Sequence, residues 1–197
     1  MKIKLWTIQD EKGWNELQTK GVLVPKMEFV EPDFKEAYDW IKKRMIERIG
    51  KPNNGDQYPM WAWFQHFDSN KRKPDLRFSG YLPSNTTGYR IELEKEKKDI
   101  LLSEFELWHY VLNKWYLPID ITDYEIFEKK LDKLNGVDFK SYPDSIKNKI
   151  ENSWNKIFDM DFESSDISVS FEEKKIQATF WELRLTDIKN VDKFKAK

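Results

Sequence analysis

The sequence predicts a single α+β domain in which strands from both ends of the chain share one mixed or antiparallel sheet, with about five helices between them. Three observations predict it. β-Prone runs stand near both ends, at residues 2–8 and 175–185; the apolar residues between them recur largely at helical spacing; and 197 residues suit one hydrophobic core and are short for two. The domain is expected to span 1–185, followed by a polar tail at 186–197.

Each element has its own signal. Lys2 to Ile8 alternates as a strand, Asp10 offers an N-cap, and Gly21 offers a C-terminal stop for a short helix carrying Trp14 and Leu17. Pro32 and Asp33 open a second helix, with Phe34, Ala37, Tyr38, Ile41 and Met45 on one side and Gly50 as its end. KPNNGDQYP reads as a loop leading into an aromatic strand, Met60–His66. Residues 68–87 read mostly as loop with a short extended piece at Asp75–Phe78. Gly88–Glu94 is a strand with Tyr89, Ile91 and Leu93 on one face and Arg90, Glu92 and Glu94 on the other.

Ser103 and Glu106 match a capping box, with Leu102 and Leu107 as the staple, for a helix starting at Glu104; Thr122 and Glu125, with Ile121 and Ile126, repeat the pattern. A further helix from Pro143 to Phe158 places Ile146, Ile150, Trp154 and Ile157 on one stripe. Ile167–Phe171 and Lys175–Leu185 flank EEKK as the arms of a hairpin.

Composition narrows function. Thirty-four Lys and Arg nearly balance 35 Asp and Glu, so no overall field draws in nucleic acid or an anionic membrane. With no Cys and two His, disulfides, thiolate chemistry and zinc fingers are excluded, and no metal site is expected. The N-terminus lacks a signal-peptide apolar core, and no apolar run approaches a membrane span of about 20 residues, so the expectation is a cytoplasmic protein with no membrane contact.

Nine tryptophans stand out, with the helical ones, Trp40, Trp108, Trp115 and Trp154, expected in core stripes. In SEFELWHYVLNKW, Phe105, Trp108, Leu112 and Trp115 form such a stripe, bordered by Glu106, His109, Tyr110 and Asn113. A histidine between a carboxylate and an amide suits acid–base work; the plainer reading has His109 donating to Glu106 at the edge of the core. Met60–His66 puts Trp61, Trp63 and Gln65 on one face, flat walls for a base or a nicotinamide ring, or simply core. In the basic cluster that follows, Arg77 and Asp75 are expected to pair. In Gln177–Leu185 the alternation sets Phe180, Glu182 and Arg184 on one face, so Glu182 is either a carboxylate held among aromatics or half of a Glu–Arg pair.

LWTIQ (5–9), AYDWIKKRM (37–45), PMWAWFQ (59–65), RKPDLR (72–77), LLSEFELWHYVLN (101–113) and FWEL (180–183) together resemble an uncharacterised bacterial and phage family known as a domain of unknown function. The match runs over nearly the whole chain in one order and implies small, stand-alone cytosolic proteins. A more distant likeness is to the ADP-ribosyltransferase fold. It implies NAD as co-substrate, with Glu182 holding the ribose hydroxyl and Trp61 or Trp63 stacking the nicotinamide. Thr7 and Gln9 stand where those enzymes place His or Arg, and no Ser-Thr-Ser motif follows.

Two functional readings follow. One is an enzyme acting on a nucleotide or nucleic acid, with Glu182, His109 and Glu106 catalytic and Trp61, Trp63, Gln65, Arg77, Thr7, Gln9 and Asn113 holding ligand. The other is a non-catalytic module whose tryptophans hold a base or nucleotide, or which docks on a protein partner as an effector.

Overall fold

The computed structural model describes residues 1–53, 55–134 and 138–197, so Asn54 of the KPNNGDQYP loop lies outside the described residues. Its elements in chain order are β1 (Lys2–Asp10), α1 (Glu11–Lys20), β2 (Val22–Leu23), α2 (Lys35–Ile49), β3 (Met60–Gln65), β4 (Thr87–Glu96), β5 (Leu101–Glu104), α3 (Phe105–Leu112), α4 (Ile121–Leu131), α5 (Asp144–Ser153), β6 (Ile176–Phe180), β7 (Leu183–Arg184) and β8 (Ile188–Lys195). The fold is α+β: an antiparallel six-stranded sheet in the order β5-β6-β3-β1-β4-β8, which contains the first and the last strand, and a two-stranded β2-β7 sheet. The chain forms two compact units, residues 1–102 with 176–197, and residues 103–175.

In the first unit the sheet is built on β1, whose register with β4 sets Leu5 opposite Leu93 and Thr7 opposite Ile91. One face carries Leu5, Met60, Ala62, Tyr89, Ile91, Leu93, Ala178 and Phe180 into a core closed by Leu17 of α1 and by Leu23 and Leu183. Helix α1 starts where Asp10 accepts from Gly13 N at 2.7 Å and ends at Gly21, whose φ of 75° suits a residue without a Cβ. On the other face, α2 meets the sheet through Tyr38, edge-on to Trp61 with ring centroids 6.0 Å apart. The run read as a polar tail contains β8, which pairs with β4 along its length. At that pairing a Cβ on Gly88 would lie 2.5 Å from the Phe194 ring, so a larger residue there would force the Phe194 and Leu82 side chains to shift.

The second unit packs α3, α4 and α5 around Leu107, Trp108, Val111, Leu117, Phe127, Ile150, Trp154 and Ile157, all buried. Leu117 N donates to Ser153 Oγ, and the Trp154 indole donates to the Trp115 carbonyl at 2.6 Å. A closed polar cluster lies inside it. The Lys174 ammonium donates to Glu104 Oε2, Ser168 Oγ and the Phe162 carbonyl at 2.8, 2.6 and 2.6 Å, so its three N–H groups all have acceptors.

Several expectations are corrected. Ser103 is not an N-cap: it lies buried in β5, and α3 begins at Phe105 after Glu104, whose backbone stays extended (φ −73°, ψ 126°) so that its carboxylate reaches Lys174. Asp120, not Thr122, caps α4 by accepting from Asp123 N, and Ile121 and Ile126 are exposed instead of stapling it. The core side of α3 is Leu107, Trp108 and Val111; the helix ends before Trp115, which is 58% exposed. The Pro143–Phe158 helix becomes a 3₁₀ turn from Trp154 onward. Asp75–Phe78 is a turn closed by Phe78 N on the Asp75 carbonyl, not an extended piece. The 167–171 arm of the predicted hairpin is absent, because Ser168 is drawn in to Glu104 and the chain turns tightly there.

Candidate functional site

The register places Lys95 on the same sheet face as Tyr89, Ile91 and Leu93, so a cation ends an apolar stripe. Its Nζ lies 2.7 Å from Asp187 and 5.2 Å from the centroid of the Phe180 ring. β4 and β6 are separated by β1 and β3, so the Lys95–Phe180 contact reaches along the sheet face past two intervening strands. Strand alternation breaks immediately after Phe180: both Phe180 and Leu183 are buried, and the Trp181 indole donates to the Gly50 carbonyl at 2.9 Å beyond the end of α2.

These segments enclose a cavity of about 440 Å³ within the first unit. Trp181 gives it aromatic surface, while Phe180, 1% exposed, belongs to the core behind the lining. Its cations are Lys2, Lys51, Lys95, Arg184 and Lys189; its carboxylates are Glu94, Glu96, Asp99, Glu182 and Asp187. The numbers match, and the charges interleave: Arg184 Nε donates to Glu182 at 2.6 Å, Lys95 pairs with Asp187, and Lys189 lies 3.3 Å from Glu94. Asp187 also accepts from Arg184 N at 2.8 Å, so two of the pairs hang on one turn, residues 184–187.

Of the residues singled out from the sequence, Glu182 lines this cavity, paired with Arg184 as the plainer reading had it. His109, Glu106 and Asn113 belong to the second unit. There His109 Nδ1 lies 3.1 Å from the Phe105 carbonyl, Glu106 pairs with Lys175, and the Asn113 amide donates to the His109 carbonyl. Thr7 is buried and donates to the Trp61 carbonyl, and Gln9 donates to Thr7. Trp63 stands edge-on to His66, and Gln65 is buried. Arg77 is paired with Asp75, whose carboxyl its hydrogen bonds pull down to about 2. Burial works to raise the Glu92 carboxyl, but hydrogen bonds from Lys4 and the Trp6 indole outweigh it and hold it below the usual range.

The residues missed from the sequence are Lys95 and Asp187. The signal for Lys95 was present: period two carries Tyr89, Ile91 and Leu93 on to position 95, and a lysine on a core-facing row must find an acceptor.

The family described as Domain of unknown function (DUF3841) matches residues 4–189, which span every element from β1 to the start of β8. The chain belongs to this family. The matched segment contains β4, β6 and the 180–189 turn, so the cavity is built almost wholly from the family's own region. No curated protein and no solved structure matches the chain. Among the described residues, no helix is long and apolar enough to cross a membrane, and no group of three or more His, Asp or Glu is placed to hold a metal ion.

Proposed function

We propose that this chain binds a nucleoside or nucleotide in the cavity beside β4 and the 180–189 turn, and that Glu182 is its acting carboxylate. The observation that carries the proposal is that Glu182 shares that cavity with Trp181. A pocket of this volume falls within the range of small-molecule sites of about 300–1,000 Å³. The Trp181 indole offers a planar surface on which a base or nicotinamide stacks, a contact worth about 1–3 kcal/mol. A carboxylate held by a single arginine keeps acceptor positions open to a ribose hydroxyl.

The chemistry that fits is transfer of a glycosyl group of the ADP-ribosyl type, with NAD as donor. The C1′–N bond breaks, nicotinamide leaves with the electron pair, and the acceptor's nucleophile forms the new bond at C1′ and loses its proton. Glu182, accepting from the ribose hydroxyl, stabilises the positive charge that spreads over the ring in the transition state. A second reading, binding without turnover, is favoured by the 2.6 Å Arg184–Glu182 contact, because a carboxylate already committed to a guanidinium is a weaker catalytic group.

Release of nicotinamide from labelled NAD, measured alongside quenching of tryptophan fluorescence, tests both. Wild-type turnover that falls by about 100-fold or more in Glu182→Gln, with weaker quenching in Trp181→Phe, is the expected result. Turnover unchanged in Glu182→Gln removes that residue from its role. Quenching without turnover selects the binding module, and neither signal with any nucleoside or nucleotide overturns the proposal.

A further inference from the structure

The cavity's charges are arranged in a way that discriminates between parts of a nucleotide. Glu182–Arg184, Lys95–Asp187 and Lys189–Glu94 each set an acceptor beside a donor, so three of the five cations in the lining stand against a carboxylate. A phosphate entering such a lining meets a carboxylate next to every paired cation. At equal distance and dielectric, the repulsion from each like charge is the same size as the attraction of each opposite one. The two cancel.

A hydroxyl behaves differently. It donates and accepts at once, so two neighbouring hydroxyls complement a carboxylate and an ammonium or guanidinium without upsetting the neutrality of the pair. The aromatic surface of Trp181 suits the apolar C–H face that a sugar ring presents beside its hydroxyls. Lys95 and Asp187 are 12% and 17% exposed at their side chains, so hydrogen bonds made to them are little diluted by water. Asp187 is fixed by Arg184 N, which sets the Lys95 and Glu182 pairs at a constant separation on the 184–187 turn.

We infer that the cavity selects its ligand by the vicinal hydroxyls of a neutral glycosyl group, held by the Glu182–Arg184 and Lys95–Asp187 pairs, and that phosphates add little to its affinity. The inference rests on the nucleoside reading above and sharpens it: the ribose is the recognised part, and the phosphates extend out of the site.

The test is a fluorescence titration of the full chain with adenosine, AMP, ADP and 2′,3′-dideoxyadenosine at low and high salt. Adenosine, AMP and ADP are expected to bind within about threefold of one another with little salt dependence, and the dideoxynucleoside about tenfold more weakly or worse. Lys95→Met and Glu182→Gln each shrink the gap between adenosine and its dideoxy form. Arg184→Gln, at a half-exposed position, supplies the same readout if the buried lysine proves necessary for folding. Affinity that climbs about tenfold from adenosine to ADP, or that is equal for adenosine and the dideoxy form, overturns the inference while leaving nucleoside binding intact. Absence of quenching by all four overturns it together with the proposed function.

Discussion

Single residues in this protein are set by whether a buried polar atom finds its counterpart. Tyr58 illustrates it: the ring is buried, and its hydroxyl donates to Asp39 at 2.6 Å. Burial, and then the neighbouring Asp39 charge, push the phenol up to about 12. Because the folded state favours the neutral phenol, this contribution to stability is complete below the ordinary tyrosine range near pH 10 and is lost as pH rises through about 12. Absorbance at the phenolate band, titrated for wild type and Tyr58→Phe, is expected to differ by one tyrosine ionising near pH 12, and a difference centred near pH 10 contradicts it. The same logic separates the tryptophans. Trp6 and Trp154 are buried with their N–H groups satisfied, whereas Trp115, expected in a core stripe, is exposed while its carbonyl serves the Trp154 indole.

At the scale of elements, local signals succeeded where nothing distant competed with them. Asp10 and Gly21 bound α1 as the sequence implies, and the alternation of Tyr89, Ile91 and Leu93 describes β4 correctly. They failed around Ser103 and Ser168, and the cause is shared: Glu104 and Lys174 are 70 residues apart and nearly inaccessible to water, and their pairing overrides the local pattern at both ends. No window of sequence contains both partners. The pair also gives a stability prediction. Removing one member strands a buried charge, so Lys174→Met or Glu104→Leu alone is expected to cost about 3–5 kcal/mol. The double replacement is expected to cost far less than the sum, read from urea midpoints at constant slope. Additive losses rule the pair out as the organising contact. The candidate site was legible only in part for a related reason: Glu182 was visible as a carboxylate among aromatics, but Lys95 meets Asp187 because the run read as a tail returns as β8 beside β4, with Ile188 opposite Leu93, a pairing no local pattern encodes.

For the whole molecule, the C-terminal residues matter more than their polarity suggests. Run 186–197 reads as a tail because lysines and aspartates outnumber its apolar residues, yet Val191 sits opposite Ile91 and Phe194 covers Gly88. Charge on an outer strand is what discourages other chains from adding to it. Ending the chain after residue 187 removes all of β8, one of the two strands that pair with β4, and is expected to lower the urea midpoint of the first unit substantially. An unchanged midpoint shows β8 to be dispensable. The placement of the second unit within the chain has a further consequence. Residues 103–175 are spliced between neighbouring strands, with Phe105 N bonded to the Lys175 carbonyl at 2.8 Å where the chain leaves and returns. On the ribosome, β1, β3 and β4 therefore emerge long before β6, and β3 waits for its neighbour while the second unit is made. The helical insert, whose contacts around α3–α5 are made among its own residues, can close first and bring its two ends together, so that β6 is delivered to its slot beside β3 as soon as it is synthesised.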